Sequence, residues 1–265
     1  MSETRSSSPA DRAASWRVIL DGEASPGFNM SLDQVIAECV AGGESPPTLR
    51  FYGWDRPAVS LGYHQSPEKV LDMAAVNAHA LTVVKRPTGG RAVLHGDDLT
   101  YSVALPANGP WAVSVTEAYR MLSEALQRGF RRAGVEVTLA RGHRGGLRPG
   151  PLPCFASTAR HELVWNGRKL VGSAQRRLRG GLLQQGSIPL ARGTIRLDEL
   201  VPPGQRIEVE DRWATVEEAA GRPVDRLHLA RELAHGFGEQ FGVSLCFESP
   251  RIDETIAAQR ITATP

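Results

Sequence analysis

The sequence predicts an α/β (α+β) protein in which helices flank sheets. Two observations carry this. Short apolar runs closed by glycine-rich or Asn-Gly turns recur along the chain, the mark of strands with tight connections. Between them lie capped segments with apolar residues at helical spacing. The clearest starts at the capping box Ser114-Val-Thr-Glu117 and keeps Val115, Ala118, Leu122, Ala125, Leu126 and Phe130 on one face. A chain of 265 residues is long enough to bury a sizeable core as one large domain. Residues 1–14 read as a disordered tail and 15–265 as the single domain.

Taken in order, residues 16–20 read as a strand and 29–40 as a helix. Ser31 and Gln34 fit a capping box for that helix, and Gly42-Gly43 stops it. Cys39 falls on its apolar stripe and reads as a core thiol. Residues 49–54 and 58–64 read as a strand pair joined through Asp55-Arg56-Pro57, with His64 either on the surface or facing a pocket. Residues 68–79 form a short amphipathic helix, and 81–84, 91–95 and 99–103 read as three more strands. Gly134 ends the helix that begins at Ser114, and 135–139 follow as a strand. Residues 141–153 make a long loop rich in glycine, arginine and proline that leads to Cys154. Asn166-Gly167 signals a hairpin between 161–165 and 168–171. Its second strand runs on through Gly172-Ser-Ala-Gln175, turns at Gly180-Gly181 and returns over 182–190. Helices over 215–220 and 225–241, with Leu227, Leu229, Leu233 and Phe237 inward, precede a strand at 243–247. Cys246 sits there among apolar neighbours and reads as structural. From Pro250 the chain reads as a terminal helix or tail.

Composition bounds the function. The hydrophobic share is 41% and the charged share 23%, as in a soluble globular protein. A net charge of +2 supplies no field of the size that nucleic acid binding needs, so no nucleic-acid partner is expected. Basic residues still cluster at 141–148 and 176–179, where they could meet an acidic partner protein or be plain solvated loops. Three cysteines, Cys39, Cys154 and Cys246, point to a reducing compartment rather than a disulfide framework. No apolar run reaches membrane-spanning length, and the amino-terminal segment lacks a secretory apolar region. The expectation is a cytoplasmic protein without a membrane partner.

The stretch from Lys85 to Val103 organises the candidate chemistry. Gly89 and Gly90 let main-chain amides approach a ligand where a Cβ would block it. Arg91 brings a fixed fork of donors to the same turn, and His95 and Ser102 add polar groups on the flanking strands. The same stretch fits an ordinary meander whose glycines only serve turns. Two further features could join it in space: Cys154 on its loop, and Lys169 ahead of Gly172-Ser-Ala-Gln175. A cysteine beside a lysine makes an activated nucleophile, because the ammonium favours the thiolate or the free amine takes the thiol proton. No CxxC or HExxH pattern occurs, so no metal site is expected, and neither a Walker A nor a Rossmann fingerprint is present.

Arg86-Pro-Thr-Gly-Gly-Arg-Ala-Val-Leu-His95 followed by Leu99-Thr-Tyr-Ser102 resembles the signature of the biotin/lipoate A/B protein ligase superfamily. Lys169-Leu-Val-Gly-Ser-Ala-Gln175 resembles its second signature, the strand carrying the essential lysine. Asn29-Met-Ser-Leu-Asp33 and Pro57-Ala-Val-Ser-Leu-Gly-Tyr63 extend the likeness over residues 16–245. Pro153-Cys-Phe155 ahead of that strand is most similar to the cysteine-dependent octanoyltransferases of the LipM class. The resemblance implies mixed, mainly antiparallel sheets flanked by helices, the fold of the biotin/lipoyl protein ligase (BPL/LPL) catalytic domain. It implies ping-pong transfer of an octanoyl group from octanoyl-acyl carrier protein, through a Cys154 thioester assisted by Lys169. The acceptor would be a lysine of a lipoyl domain or of the glycine-cleavage H protein. The acyl group would be held by Gly89, Gly90, Arg91, His95 and Ser102, and by Gly172, Ser173 and Ala174. No cofactor is implied, since the thioester is already activated. Ligases tend to show His-Asp-x-Gly-Asn, whereas His95 here precedes Gly96-Asp97-Asp98. The alternatives are an ATP-dependent lipoate ligase, an amidotransferase between lipoyl domains (Gln175-Arg-Arg177 is shared with these), and an inactive binding protein on the same fold.

Overall fold

The computed structural model describes residues 15–142, 159–205 and 210–263. Cys154, nearly all of the loop before it and the expected amino-terminal tail lie outside the described residues. In chain order the strands are β1 (Ser15–Ala24), β2 (Thr48–Trp54), β3 (Ala58–Leu61), β4 (Thr82–Lys85), β5 (Val93–His95), β6 (Asp98–Pro106), β7 (Thr138–Leu139), β8 (Leu163–Trp165), β9 (Arg168–Lys169), β10 (Gly172–Leu178), β11 (Gly181–Pro189) and β12 (Ser244–Phe247). The helices are α1 (Pro26–Ala41), α2 (Pro67–Val70), α3 (Met73–Ala78), α4 (Val115–Arg132), α5 (Val216–Ala220), α6 (Arg226–Phe241) and α7 (Ile252–Thr262).

The main sheet has six strands in the order β10-β11-β6-β2-β1-β12. Its β10, β11, β6 and β2 neighbours pair antiparallel, while β1 runs parallel to both β2 and β12. Alternation along these strands sorts their side chains onto two faces. Leu49, Phe51, Tyr101, Val103 and Leu182 point to one face, where Leu122, Leu126 and Phe130 of α4 and Leu229, Leu233 and Phe237 of α6 bury them. The opposite face carries Ala104 and Leu183, covered by Leu32, Val35, Ile36 and Val40 of α1 and by Ala258 of α7. At the ends of their helices Val115 and Leu227 are exposed, although their spacing placed them in the core stripe.

A second sheet, in the order β4-β3-β5, has its own core of Val59, Leu61, Val70, Leu71 and Val76. A third, β7-β8-β9, carries the Asn166-Gly167 hairpin. Asn166 and Gly167 adopt φ of 48° and 77°, the paired left-handed values of a two-residue hairpin turn.

Several expected elements change partner or length. Residues 49–54 and 58–64 do not pair, because both edges of β2 are already taken by β1 and β6, so β3 joins the second sheet. Helix α1 starts at Pro26 with Ser25 as its cap, whose hydroxyl accepts from Phe28 N, and the proposed cap residue Ser31 is buried inside it. Residues 68–79 break into α2 and α3 because Leu71 is extended and Asp72 caps the amides of Ala74 and Ala75. Residues 135–139 keep strand geometry only at β7. Cys246 is exposed rather than structural, since β12 is an edge strand.

Candidate active site

Between the polar part of the main sheet and the second sheet is a cavity of about 20 Å³. That is room for about one water molecule. Gly172, Ser173 and Ala174 of β10 face Gln185, Gly186 and Ser187 of β11 along one side of it. Met30 and Trp54 line it from the α1 side, and Ser60 and His95 from the second sheet. A larger groove shares Met30 and Arg86 with it, and a second shares His95, so the cavity is flanked by open space at both ends.

The Gly89-Gly90 turn is built by Arg86, which lies just ahead of it. The buried guanidinium donates from Nη2 to the carbonyls of Gly89 and Arg91, both at 2.7 Å, and from Nη1 to the Ser60 carbonyl at 2.9 Å. Gly90 holds φ at +87°, and its carbonyl lies so close to Gly62 that a Cβ there would sit 2.1 Å away. Thr88 Oγ1 donates to Gln185 Oε1 at 2.8 Å, tying the turn to β11. The guanidinium that lines the cavity is thus that of Arg86. Arg91, Gly89 and Gly90 are not among its lining residues, and Gly90 packs beside Ala174 instead.

Behind Gln185 sits a buried polar network centred on Asp33. Its Oδ1 accepts from Arg50 Nη1 at 2.9 Å and Ser102 Oγ at 2.7 Å. Its Oδ2 accepts from Tyr52 OH at 2.8 Å and Gln185 Nε2 at 2.7 Å. Burial alone would lower the Arg50 pKa, but the charges of Asp33 and Asp21 hold it above its ordinary value. Burial and Asp33 push the Tyr52 hydroxyl well up, so it remains a donor. Ser102 belongs to this network and does not line the cavity.

His95 is part of the cavity wall. Its ring stacks on Trp54 at 4.0 Å, Nδ1 lies 2.9 Å from Asp98 Oδ2, and Nε2 lies 2.8 Å from Ser60 Oγ. A carboxylate only accepts, so Nδ1 carries a proton toward Asp98. Asp98 also accepts from Thr100, Ser187 and the amide of Gly96. Burial would raise its pKa, but His95 and these donors hold it below the ordinary value. Ser173 directs its hydroxyl to Tyr101 OH at 2.8 Å, on the α4 side. Its main chain is what it offers the cavity. Burial pushes Tyr101 up to about 12, against the pull of Ser173 and Gln184.

Lys169 is buried, and its Nζ donates to Glu162 Oε1 at 2.8 Å. Its carbonyl accepts from Ala214 N at 2.9 Å, so the segment after Trp213 braces the lysine strand. The other Glu162 oxygen accepts from Ala159 N at 2.7 Å. The sequence did not single out Arg86, Asp33, Gln185 or Glu162 as site residues. For Glu162 a signal existed: the Asn-Gly turn sets Val164 opposite Lys169, which places Glu162 on the diagonal, within reach of a long side chain. Among the described residues no cluster of side chains suits a metal ion, and no helix is long and apolar enough to cross a membrane.

Residues 25–237 match the family model described as the lipoyl protein ligase A/B catalytic domain. The chain belongs to that family. It is 40% identical to an octanoyltransferase LipM of Kyrpidia tusciae over 242 residues, covering 87% of this chain and 88% of the relative. Against the octanoyltransferase LipM of Exiguobacterium sp. it is 38% identical over 245 residues, covering 88% of each chain. Among solved structures it superposes on a bi-partite lipoate protein ligase from Thermoplasma acidophilum with a TM-score of 0.77 and 21% identity, covering 94% of this chain and 92% of that one. A lipoate-protein ligase A bound with ATP gives 0.76 at 21% identity, covering 94% and 95%. These structural likenesses establish the ligase catalytic-domain fold expected from the two motifs.

Proposed function

We propose that this protein is an octanoyltransferase of protein lipoylation. It would take the octanoyl group from octanoyl-acyl carrier protein onto Cys154 and pass it to a lysine of a lipoyl domain or glycine-cleavage H protein. One observation carries the reading: the likeness to octanoyltransferases spans 87% of the chain at 40% identity and includes the segments that hold Cys154 and Lys169. The lining agrees with it, since Gly172, Ser173 and Ala174 of the second motif border the cavity. Each methylene of the acyl chain that the protein buries is worth ~0.8 kcal/mol, enough in sum to select an acyl chain of medium length.

In the first half-reaction the Cys154 thiolate attacks the thioester carbonyl, and the carrier thiol leaves. In the second, the acceptor amine attacks the Cys154 thioester, an amide forms and the thiolate is released. The Lys169 ammonium favours the thiolate, gives its proton to the departing carrier thiolate, and can then take one from the incoming amine. Strand β10 is an edge of the main sheet, so alternate amides beyond Lys169 point away from β11. They are available to the oxyanion of each tetrahedral intermediate, as are amides near the Gly89-Gly90 turn. No step needs a nucleotide, a metal or another cofactor, because the donor thioester supplies the activation. In a mixture of octanoyl-acyl carrier protein and acceptor without ATP and Mg²⁺, the acceptor should gain one octanoyl group. Transfer that depends strictly on ATP with free octanoate or lipoate would replace this reading with a ligase.

A further inference from the structure

Glu162 is a buried carboxylate with two different obligations. Oε1 holds the Lys169 ammonium at 2.8 Å, and Oε2 holds the Ala159 amide at 2.7 Å. Its backbone is fastened as well: the Glu162 carbonyl accepts from Ala140 N at 2.8 Å, and the amide of His161 donates to Ala140 O at 2.9 Å. His161 takes φ of +69°, an uncommon conformation for a residue with a side chain. That turn brings Glu162 back under Ala159, while β8 continues into the hairpin toward Lys169. The arrangement costs backbone strain and buries an ion pair, a combination that stability alone seldom repays.

We infer that Glu162 is a positioning residue of the transfer reaction, acting through Lys169. With the octanoyl transfer proposed above as its basis, the role is specific. The lysine side chain has many rotamers, and the fixed carboxylate of Glu162 favours one of them before substrate arrives. Because the same carboxylate closes the 159–162 turn, the aim of the ammonium and the position of that turn are set together.

The test uses the full-length protein with octanoyl-acyl carrier protein and a lipoyl domain, at a temperature where every variant is folded. Glu162→Ala should lower kcat by ~10²-fold, the cost of a small misplacement of a reacting group, while KM for the acceptor changes less than about threefold. Glu162→Gln keeps an acceptor for Ala159 but drops the charge, and should fall between Glu162→Ala and the parent. Glu162→Asp should restore part of the loss. In a Lys169→Ala background, Glu162→Ala should cost nothing further. Losses that multiply in that background, or kcat per folded molecule equal to that of the parent, would overturn the role. A second readout is independent of the reaction: reductive methylation of Lys169, mapped by mass, should be slow in the parent and at least ~tenfold faster in Glu162→Ala, because the ion pair that favours the unreactive ammonium is removed. Equal methylation rates would also overturn the role. A parent protein that transfers no octanoyl group would remove the proposed function, and the methylation rates would still decide whether Glu162 holds the lysine.

Discussion

Thr88 and Gln185 join the glycine turn to the main sheet through one hydrogen bond of 2.8 Å, and the far end of the same amide reaches Asp33 at 2.7 Å. One side chain therefore links the turn after β4 to a buried carboxylate of α1. Gln185→Leu would leave Thr88 without this bond and Asp33 short of a donor. Buried polar groups that lose a partner cost roughly 1–3 kcal/mol each, so urea unfolding should show a loss of about 3 kcal/mol. Gln185→Glu should be worse near neutral pH, because it sets a second carboxylate against Asp33, and part of the loss should return on acidification. A change below ~0.5 kcal/mol in Gln185→Leu, the size of an ordinary surface substitution, would show that the turn is held elsewhere.

Helix α7 should depend on a single buried ion pair. Arg17 reaches both oxygens of Glu254, at 2.7 Å and 3.0 Å, and neither side chain is meaningfully exposed. Removing one partner strands the other charge in the interior, at a cost of ~3–5 kcal/mol. Chemical denaturation of Glu254→Ala should show that loss. The double replacement Arg17→Met with Glu254→Leu should lose clearly less than the sum of the singles, because no charge is then left behind. Additive losses would mean that the two residues act separately.

The Asp98 network predicts a pH dependence with a definite sign. Its folded pKa lies below the ordinary 3.8, held down by His95 and hydrogen-bond donors against the effect of burial. A carboxyl of that kind stabilises the fold fully above its unfolded pKa, and the contribution disappears as pH falls through the folded value. Asp98→Asn should therefore be less stable than the parent at pH 7, with the gap narrowing below about pH 3.8. Unfolding measured from pH 7 to pH 2.5 would check this, and a gap independent of pH would assign the effect to packing.

The parts of the fold visible in the residues were those governed locally. Ser114 and Glu117 announce the start of α4, and Asn166-Gly167 forces the β8–β9 hairpin, because both signals act over a few residues. Which strands pair is settled by competition over distance. Nothing near residue 54 reveals that β6 will occupy the edge of β2 that β3 would need. The same limit applied to the site. The motif located the glycine turn, but Arg86 rather than Arg91 became its organiser, because Arg86 sits where its fork meets the carbonyls of Gly89, Arg91 and Ser60 together. Ser102 read as a ligand group because it alternates into the strand face with Thr100, yet the carboxylate that takes its hydroxyl lies on α1, 69 residues earlier.

The octanoyl group should be carried by Cys154, and the other two thiols fail for different reasons. Cys39 is half-buried beside α7, with Arg251 Nη2 3.6 Å from its sulfur. Burial and the Glu254 carboxylate push its pKa up, so little thiolate forms near neutral pH. Cys246 is exposed, but β12 is the edge strand farthest from β10 in the main sheet, and the residue lines no part of the cavity. A general alkylating agent should therefore label Cys246 readily and would not identify the nucleophile. Octanoyl-acyl carrier protein should instead add one octanoyl mass, removable by hydroxylamine, to the peptide holding Cys154. Cys154→Ser should lose that adduct together with transfer, whereas Cys39→Ser and Cys246→Ser should keep both. An octanoyl adduct mapped to Cys39 or Cys246, or full transfer by Cys154→Ser, would overturn the assignment and the ping-pong route built on it.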